Sequence, residues 1–314
     1  MSYAVVFPGQ GSQALGMLGA LADAHGEVRE TFLEASDRLD YDLWSLAQNG
    51  PEELLNTTTH TQPAMLAAGV AVWRVWRAVG GRLPSAMAGH SLGEYSSLVC
   101  SGSLRFADAV ALVAERGRLM QSAVPEGQGA MAAVLGLDDE AVVALCAEAA
   151  QGGVVEAVNF NSPGQVVIAG AADAVERAIE RAQQAGAKRA LRLAVSVPSH
   201  CALMRPAAEA LRRRLDEIPL TAPEIPVVHN ADVAEHADPE AIREVLARQL
   251  FSPVRWVETV RRLRDSGAKA VLELGPGRVL AGLNKRIDKG MKTLCVHDPA
   301  SLEQGLSLIN EGAS

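Results

Sequence analysis

Gly89-His90-Ser91-Leu92-Gly93 is the stretch that decides the fold, because it sets a serine between two glycines at the spacing of a nucleophile elbow. In such an elbow a strand turns sharply into a helix, and the glycines remove Cβ atoms that would collide with nearby backbone. The apolar run at residues 85–88 predicts the strand, and residues 92–100 predict the helix. We therefore predict Ser91 as a covalent nucleophile. The alternative is a glycine-rich turn whose serine only caps a helix.

Length and composition place the chain among ordinary globular proteins. Its 314 residues are enough for about two domains, and 48% hydrophobic with 21% charged residues argues against disorder. The apolar run at residues 64–73 is too short to span a bilayer, and the first residues do not resemble a signal peptide. We expect a cytoplasmic monomer that is not inserted in a membrane.

The charge distribution is uneven. A net charge of −8 argues against nucleic acid as a partner, because neutralising phosphates needs a basic face. Residues 255–292 nevertheless carry ten basic and four acidic residues. This segment predicts either a solvated helical face or a docking surface for an acidic partner or a phosphorylated ligand.

The sequence contains no motif that predicts a metal site or a redox centre. The four cysteines lack the paired spacing of zinc ligands or a redox couple, which predicts buried free thiols. The seven histidines form no ligand cluster. We expect no metal and no cofactor.

Residues 125–197 predict a self-contained β-α-β-β-α-β unit, which is the ferredoxin-like order. Its strands are expected at 130–135, 154–158, 165–169 and 189–195, and its helices at 138–149 and 172–184. Breaker-rich residues flank the unit on both sides, as expected where an inserted subdomain leaves and rejoins its host. The host, residues 1–124 and 198–314, is therefore discontinuous.

The host alternates short apolar runs with amphipathic helices. The strands are expected at 3–7, 85–88, 225–228 and 269–274, with helices such as 62–79 and 106–121 between them. Such alternation predicts an α/β fold with a parallel sheet covered by helices.

A serine needs a base to become nucleophilic, and His200 is the best candidate among the histidines. It lies in Pro198-Ser199-His200, where the inserted unit rejoins its host, and such junctions commonly hold sites. A lone histidine can instead be a structural one. No aspartate or glutamate identifies itself as the third member of a triad, which leaves an amide or a main-chain carbonyl to orient the imidazole.

Two backbone N–H groups are candidates for an oxyanion hole. The N–H of Leu92 lies at the start of the elbow helix, where the motif itself places a donor. The glycine-flanked Gln10 follows the first strand, at the end of the sheet where open α/β folds place their sites.

The loop that contains Gln10 also allows a second interpretation. Gly9, Gly11 and Ala14 match a relaxed dinucleotide fingerprint, with Glu30 or Glu34 near the position of a ribose-binding acid. We do not favour it, because no tidy β-α-β return follows within the usual length.

Arg116 lies on the apolar face of the helix predicted at 106–121. A buried arginine needs an anionic partner. That partner is either an internal one, Glu115 or Asp108, or the carboxylate of a substrate held by a bidentate clamp.

Five motifs together resemble the malonyl-CoA:acyl carrier protein transacylases of bacterial fatty acid synthesis. They are Phe7-Pro8-Gly9-Gln10-Gly11-Ser12-Gln13, Gly89-His90-Ser91-Leu92-Gly93-Glu94-Tyr95, Asn159-Phe160-Asn161-Ser162-Pro163, Val197-Pro198-Ser199-His200 and Glu273-Leu274-Gly275-Pro276-Gly277. The likeness covers nearly the whole chain. One position bears on the choice of acyl group instead. Related modular polyketide acyltransferases that select malonyl have phenylalanine where Ser199 stands, but stand-alone malonyl enzymes also have serine, so malonyl is kept over branched extender units.

The resemblance implies a role for each candidate residue. These roles are nucleophile for Ser91, base for His200, backbone oxyanion donors for Gln10 and Leu92, carboxylate clamp for Arg116, and a carbonyl that positions the imidazole for Gln249. It also implies a hydrolase-like large subdomain with a mainly parallel sheet, bearing the ferredoxin-like small subdomain.

The activity implied is transfer of malonyl from malonyl-CoA to the phosphopantetheine thiol of holo acyl carrier protein through a malonyl-serine. The expected carrier docking surface consists of Arg278, Lys285 and Arg286 with Lys188 and Arg189. The alternatives are a serine esterase or thioesterase, a malonyl transferase of a polyketide or malonate-decarboxylase system, and a non-catalytic carrier-docking module.

Overall fold

Two sheets organise the molecule, which a computed structural model describes over residues 1–195 and 197–311. In chain order the strands are β1 (Tyr3–Phe7), β2 (Ala86–Gly89), β3 (Gly129–Leu135), β4 (Val155–Ser162), β5 (Gln165–Ala171), β6 (Arg189–Arg192), β7 (Val227–Val228), β8 (Ala270–Leu274) and β9 (Lys292–Val296).

Helices separate most of these strands. They are α1 (Gly19–Ala24), α2 (Gly26–Ser36), α3 (Leu43–Asn49), α4 (Glu52–Leu55), α5 (Thr58–Ala78), α6 (Gly93–Cys100), α7 (Phe106–Ser122), α8 (Asp139–Ala150), α9 (Ala172–Gln184), α10 (Arg205–Asp216), α11 (Pro239–Gln249), α12 (Trp256–Asp265), α13 (Val279–Ile287) and α14 (Pro299–Asn310). None of the helices in the described ranges has the length and apolar character needed to cross a membrane.

The larger sheet has five parallel strands in the order β7-β2-β1-β8-β9. At its centre, Val5 of β1 pairs with Met87 on one side and Leu272 on the other. Every residue of β1 is buried, as expected for a parallel strand with helices over both faces of the sheet. The predicted parallel sheet of an α/β fold is confirmed.

The second sheet is antiparallel, in the order β4-β5-β3-β6. Its chain order is β-α-β-β-α-β, with α8 and α9 packed on one face, so the predicted ferredoxin-like unit is confirmed. The exact boundaries of the two subdomains, 1–124 with 198–314 and 125–197, stay a prediction.

The predicted ends of several elements were wrong by a few residues. Helix α5 begins at Thr58, upstream of the predicted start, and includes Pro63 within its second turn. A proline so near the start of a helix removes few backbone hydrogen bonds, which explains why it does not set the boundary. Strand β6 ends at Arg192 instead of 195, and β4 runs on to Ser162 instead of 158.

The small sheet is joined to the large subdomain through backbone hydrogen bonds at Val254. The N–H of Val254 donates to the carbonyl of Val158 at 2.8 Å, and the N–H of Phe160 donates to the carbonyl of Val254 at 3.0 Å. This bridge leaves one face of the small sheet turned towards the large subdomain, and a cavity lies between them.

Candidate active site

Ser91 lies in the turn between β2 and α6 with φ at +51°, a left-handed conformation that serine seldom adopts. Backbone crowding imposes this turn. A Cβ atom on Gly89 would come within 1.8 Å of the carbonyl carbon of Gly93, and one on Gly93 within 2.1 Å of the carbonyl oxygen of Phe7. The segment therefore has the strand-turn-helix geometry that the two glycines predict.

The structure brings His200 to Ser91 across 109 residues of sequence, with 2.8 Å between Nε2 and Oγ. The other ring nitrogen, Nδ1, lies 2.8 Å from the main-chain oxygen of Gln249. A carbonyl oxygen only accepts, so Nδ1 carries the proton and Nε2 is the acceptor that faces the serine hydroxyl. The third partner is thus a main-chain carbonyl, one of the two kinds of group that the sequence left open.

The imidazole of His200 is almost fully buried, at 3% exposure. Burial, and after it the positive charge of Arg116, lowers the pKa of His200 to about 3. The ring is therefore neutral at physiological pH, which is the state that a general base requires.

Arg116 projects from α7 into the same place and is 1% exposed. Its Nη2 donates to Oγ of Ser91 at 3.2 Å and to Oε1 of Gln249 at 2.9 Å, and its Nη1 donates to Oε1 of Gln62 at 2.8 Å. These partners are all neutral oxygens.

The internal salt bridge considered for Arg116 is wrong. Glu115 pairs with Arg118 within α7, and Asp108 pairs with Arg105, the residue just before that helix. A guanidinium that is bonded only to neutral oxygens can still bind an incoming carboxylate.

A cavity of about 230 Å³ opens at these residues. Its polar end holds Ser91, His200 and Arg116, and its walls are mainly apolar. The small sheet and the segment after it contribute Met131, Val167, Leu193, Val195 and Val197, while α13 contributes Val279, Leu280 and Leu283.

Gln10 and Leu92 both line this cavity. The loop that carries Gln10 packs tightly on the elbow, because a Cβ atom on Gly9 would lie 2.4 Å from the carbonyl oxygen of His90 and 3.8 Å from the nitrogen of Leu92. In the described part of the chain, the N–H groups of Gln10 and Leu92 donate to no protein acceptor. Both donors are therefore available to a ligand atom.

A buried polar network lies beneath the elbow. The carboxylate of Glu94 accepts hydrogen bonds from the backbone N–H of Asn230, from Nε2 of Gln249 and from Nδ1 of His229, all at 2.8–2.9 Å. The side chain of Asn230 accepts from the N–H of Ser91 at 2.7 Å and donates to the carbonyl of Gly89 at 2.7 Å. The side chain of Asn230 thus bridges residues 89 and 91 and stabilises the strained turn.

The acyl transferase domain family matches residues 4–296 of the chain. A malonyl CoA-acyl carrier protein transacylase of Escherichia coli strain K12 is 55% identical over 306 residues, which cover 98% of this chain and 99% of the relative. One from Haemophilus influenzae is 58% identical over 300 residues, covering 95% and 96%. The chain belongs to the malonyl CoA-acyl carrier protein transacylase family, and it is an acyltransferase.

Solved structures of transacylases superpose closely on the chain. An acyl carrier protein S-malonyltransferase from Vibrio cholerae O1 has a TM-score of 0.95 and 57% identity, covering 97% of this chain and 99% of that one. A malonyl-transacylase solved with its type II polyketide acyl-carrier protein has a TM-score of 0.97 and 58% identity, covering 98% and 100%. The family resemblance carried by the five motifs is confirmed.

Sequence reasoning missed Gln62, Glu94, His229 and Asn230 as parts of the transacylase site. Only Glu94 left a signal, because it is a carboxylate in the otherwise apolar and small-residue helix that follows the elbow. The dinucleotide interpretation does not fit this fold. No helix begins at the glycine loop, since α1 starts at Gly19, and Glu34 pairs with Arg74.

The crowding at the elbow predicts that one added methyl group at Gly93 lowers the stability of the protein strongly. Gly93→Ala should lower the free energy of unfolding by about 3 kcal/mol or more, because backbone must move to admit the Cβ atom. The matched control is Gly282→Ala in α13, where a Cβ atom meets nothing within 4 Å. It should gain up to about 1 kcal/mol from helix propensity. Urea unfolding of both variants measures the difference, and equal midpoints would contradict the crowding argument.

Proposed function

We propose that this acyltransferase moves the malonyl group from malonyl-CoA to the phosphopantetheine thiol of acyl carrier protein and so supplies extender units for fatty acid synthesis. One observation carries the proposal. A buried guanidinium, that of Arg116, lies 3.2 Å from the hydroxyl of Ser91 in a cavity whose walls are mainly apolar. Such a cation favours an acyl group that bears its own carboxylate.

In the first half-reaction, Nε2 of His200 takes the proton of Ser91 as Oγ attacks the thioester carbonyl. The N–H groups of Gln10 and Leu92 donate to the tetrahedral oxyanion. The intermediate collapses to a malonyl-serine ester, and the thiolate of CoA leaves with the proton from the imidazolium. The carbonyl of Gln249 stabilises the imidazolium through its Nδ1–H.

The second half-reaction repeats these steps with a different thiol. The phosphopantetheine thiol of the carrier gives its proton to His200 and attacks the ester carbonyl. Collapse of the second intermediate returns the proton to Ser91 and releases malonyl carrier protein. The apolar walls favour a long, mostly uncharged arm over water, which limits hydrolysis of the ester.

The carboxylate of the malonyl group is placed on Arg116 throughout. Nη2 lies 3.2 Å from Oγ of Ser91, so a carboxylate on the acyl chain can reach the guanidinium while the carbonyl carbon lies at Oγ. Within the described residues, Nε of Arg116 has no hydrogen-bond partner, and Nη1 uses only one of its two N–H groups, so these donors remain for the carboxylate. The positive charge of Arg116 helps to lower the pKa of His200. The negative charge of the bound acyl group offsets part of that effect.

A second candidate differs only in the carrier. The relative solved with a type II polyketide acyl-carrier protein is 58% identical, about as close as the transacylases of the other bacteria. Supply of a polyketide carrier therefore remains the alternative pathway for the same chemistry.

We place carrier docking on the exposed cations Lys285 and Arg286, with Arg278, Lys188 and Arg189 beside them. Lys188 and Arg286 line one cleft, which joins the small sheet to α13. In the described ranges none of these five side chains forms an ion pair. By contrast, several other cations of the same basic segment form ion pairs within the protein, namely Arg255, Arg262, Arg264 and Lys292.

The cytoplasmic location and the monomeric state stay predictions.

Intact-mass measurement after mixing with malonyl-CoA tests the proposal. The wild type should gain one malonyl group and pass it to a purified holo carrier. Ser91→Ala should gain none, and transfer should fall by at least about a thousandfold. Ser97→Ala, at a buried serine of α6, the helix that follows Ser91, should keep the adduct. Persistence of the adduct in Ser91→Ala would remove Ser91 from the scheme, and rapid release of free malonate without a carrier would indicate a thioesterase. Comparing fatty acid and polyketide carriers decides between the pathways.

The depressed pKa of His200 predicts an unusual pH profile. A base works in its unprotonated form, so activity is lost only as the pH falls towards the lowered pKa of about 3. With malonyl-N-acetylcysteamine, a thioester without phosphates, kcat/KM should show no inflection between about pH 5 and 8. A fall in rate centred near pH 6.5 would instead mean that the free enzyme holds His200 at its ordinary pKa.

Charge reversal tests the docking surface. Lys285→Glu with Arg286→Glu should raise the KM for the carrier about tenfold at low salt and less at high salt, because the attraction is screened. Acylation by malonyl-N-acetylcysteamine should not change. Arg261→Glu with Arg262→Glu, on α12, is the control of equal charge and should leave the KM for the carrier near the wild-type value. Equal effects of the two pairs would refute a specific surface.

A further inference from the structure

Arg116 and Glu94 are two buried charges of opposite sign that do not touch. Arg116 is 1% exposed and Glu94 is not exposed at all. Among the described residues no carboxylate lies within 4 Å of the guanidinium, and the ionisable partner of Glu94 is His229. A buried charge is costly unless another group compensates it. We therefore ask which group connects these two charges.

The side-chain amide of Gln249 joins them. Its Oε1 accepts from Nη2 of Arg116 at 2.9 Å, and its Nε2 donates to Oε2 of Glu94 at 2.9 Å. A guanidinium only donates and a carboxylate only accepts, so this orientation of the amide is unambiguous. The second N–H of the amide donates to the main-chain carbonyl of Ser91 at 3.0 Å. The amide dipole therefore runs from cation to anion and passes directly beside the nucleophile.

Once the substrate binds, the guanidinium of Arg116 has two negative neighbours, the substrate carboxylate and the carboxylate of Glu94. Glu94 lies one amide group away from Arg116 and does not line the cavity. In a poorly solvated site it reduces the positive potential that the substrate carboxylate meets. The electrostatics of Arg116 agree, because burial lowers the pKa of its guanidinium and the negative charge of Glu94 opposes that shift.

We propose that Glu94 is the counter-ion of Arg116 and a specificity-determining residue, which acts through the amide of Gln249 to limit how tightly the guanidinium holds the carboxylate of the acyl group. The proposal rests on the function proposed above. Glu94 then sets a balance between two needs. Arg116 must distinguish malonyl from acetyl, and it must still release the malonyl group to the carrier thiol.

Glu94→Gln removes the charge and can keep the hydrogen bonds. Its Oε1 can accept from Asn230 and Gln249 as Glu94 now does, with its NH₂ group facing Nδ1 of His229. His229 can then accept at Nδ1 by moving its proton to Nε2, a ring nitrogen that is buried and has no hydrogen-bond partner within the described residues. Glu94→Asp keeps the charge and shortens the side chain. The two variants separate charge from geometry.

The measurement is the ratio of kcat/KM for malonyl-CoA to that for acetyl-CoA in serine acylation. Glu94→Gln should raise this ratio about tenfold, because the clamp loses its counter-ion. It should also slow transfer of the malonyl group to the carrier. Glu94→Asp should lower both rates but keep the ratio within about twofold of wild type. The control is Glu273→Gln, since Glu273 is an equally buried carboxylate that caps α13 and has no contact with Arg116. Its ratio should not change.

A double-mutant cycle with Arg116→Ala completes the test. Arg116→Ala should collapse the preference for malonyl, and adding Glu94→Gln to it should then have no further effect on the ratio. An unchanged or lower ratio in Glu94→Gln, or an equal rise without Arg116, would overturn the proposal. If Glu94→Gln does not fold, a ratio for Glu94→Asp outside the twofold range overturns it equally. The proposed function fails separately, and does so if the wild type does not acylate with malonyl or shows no preference for it over acetyl.

Discussion

The close meeting of three backbone segments at the elbow is the constraint on which the rest of the site depends. Strand β2, the first turn of α6 and the loop after β1 approach so closely that Gly9, Gly89 and Gly93 have no space for a side chain. This contact forces the left-handed turn at Ser91 and brings the N–H of Leu92 next to the loop of Gln10. It also directs Glu94, three residues after Ser91, into the interior. The proposed nucleophile, the proposed oxyanion donors and the buried acid are thus all positioned by one packing arrangement.

Much of the fold could be predicted because its patterns are local. The fully apolar β1 is typical of a parallel strand covered on both faces, and the β-α-β-β-α-β order is visible from alternating runs and breakers. The ends of elements were harder. Pro63 lies inside α5 because the helix has already begun at Thr58, and strand β6 ends early where the chain leaves the sheet to line the cavity. Contacts from distant parts of the chain decide such boundaries, and local propensity does not report them.

Within the site, too, some residues could be predicted from local sequence and others could not. Ser91 and its donor Leu92 belong to one motif, and His200 lies at a recognisable junction, so their sequence context was informative. The role of Gln249 came only from family resemblance, and Asn230 gave no signal at all. These residues act through hydrogen bonds to distant parts of the chain, which span 49 positions from Gln249 to His200 and 139 from Asn230 to Ser91. The role of a polar residue in such a network depends on its hydrogen-bond partners. Those partners are known only once the fold has brought them together, so the sequence alone does not distinguish such a residue from other polar residues.

The cavity takes its walls from both subdomains. Ser91, His200 and Arg116 belong to the large subdomain, as does the wall formed by α13, whereas Met131 and Val167 come from the inner face of the small sheet, whose helices pack on its other side. Part of the wall and the proposed reacting groups therefore belong to different structural units. Substitutions on that inner face can enlarge or narrow the cavity while Ser91, His200 and Arg116 stay in place. This separation offers a physical reason why one scaffold can serve enzymes with different acyl preferences.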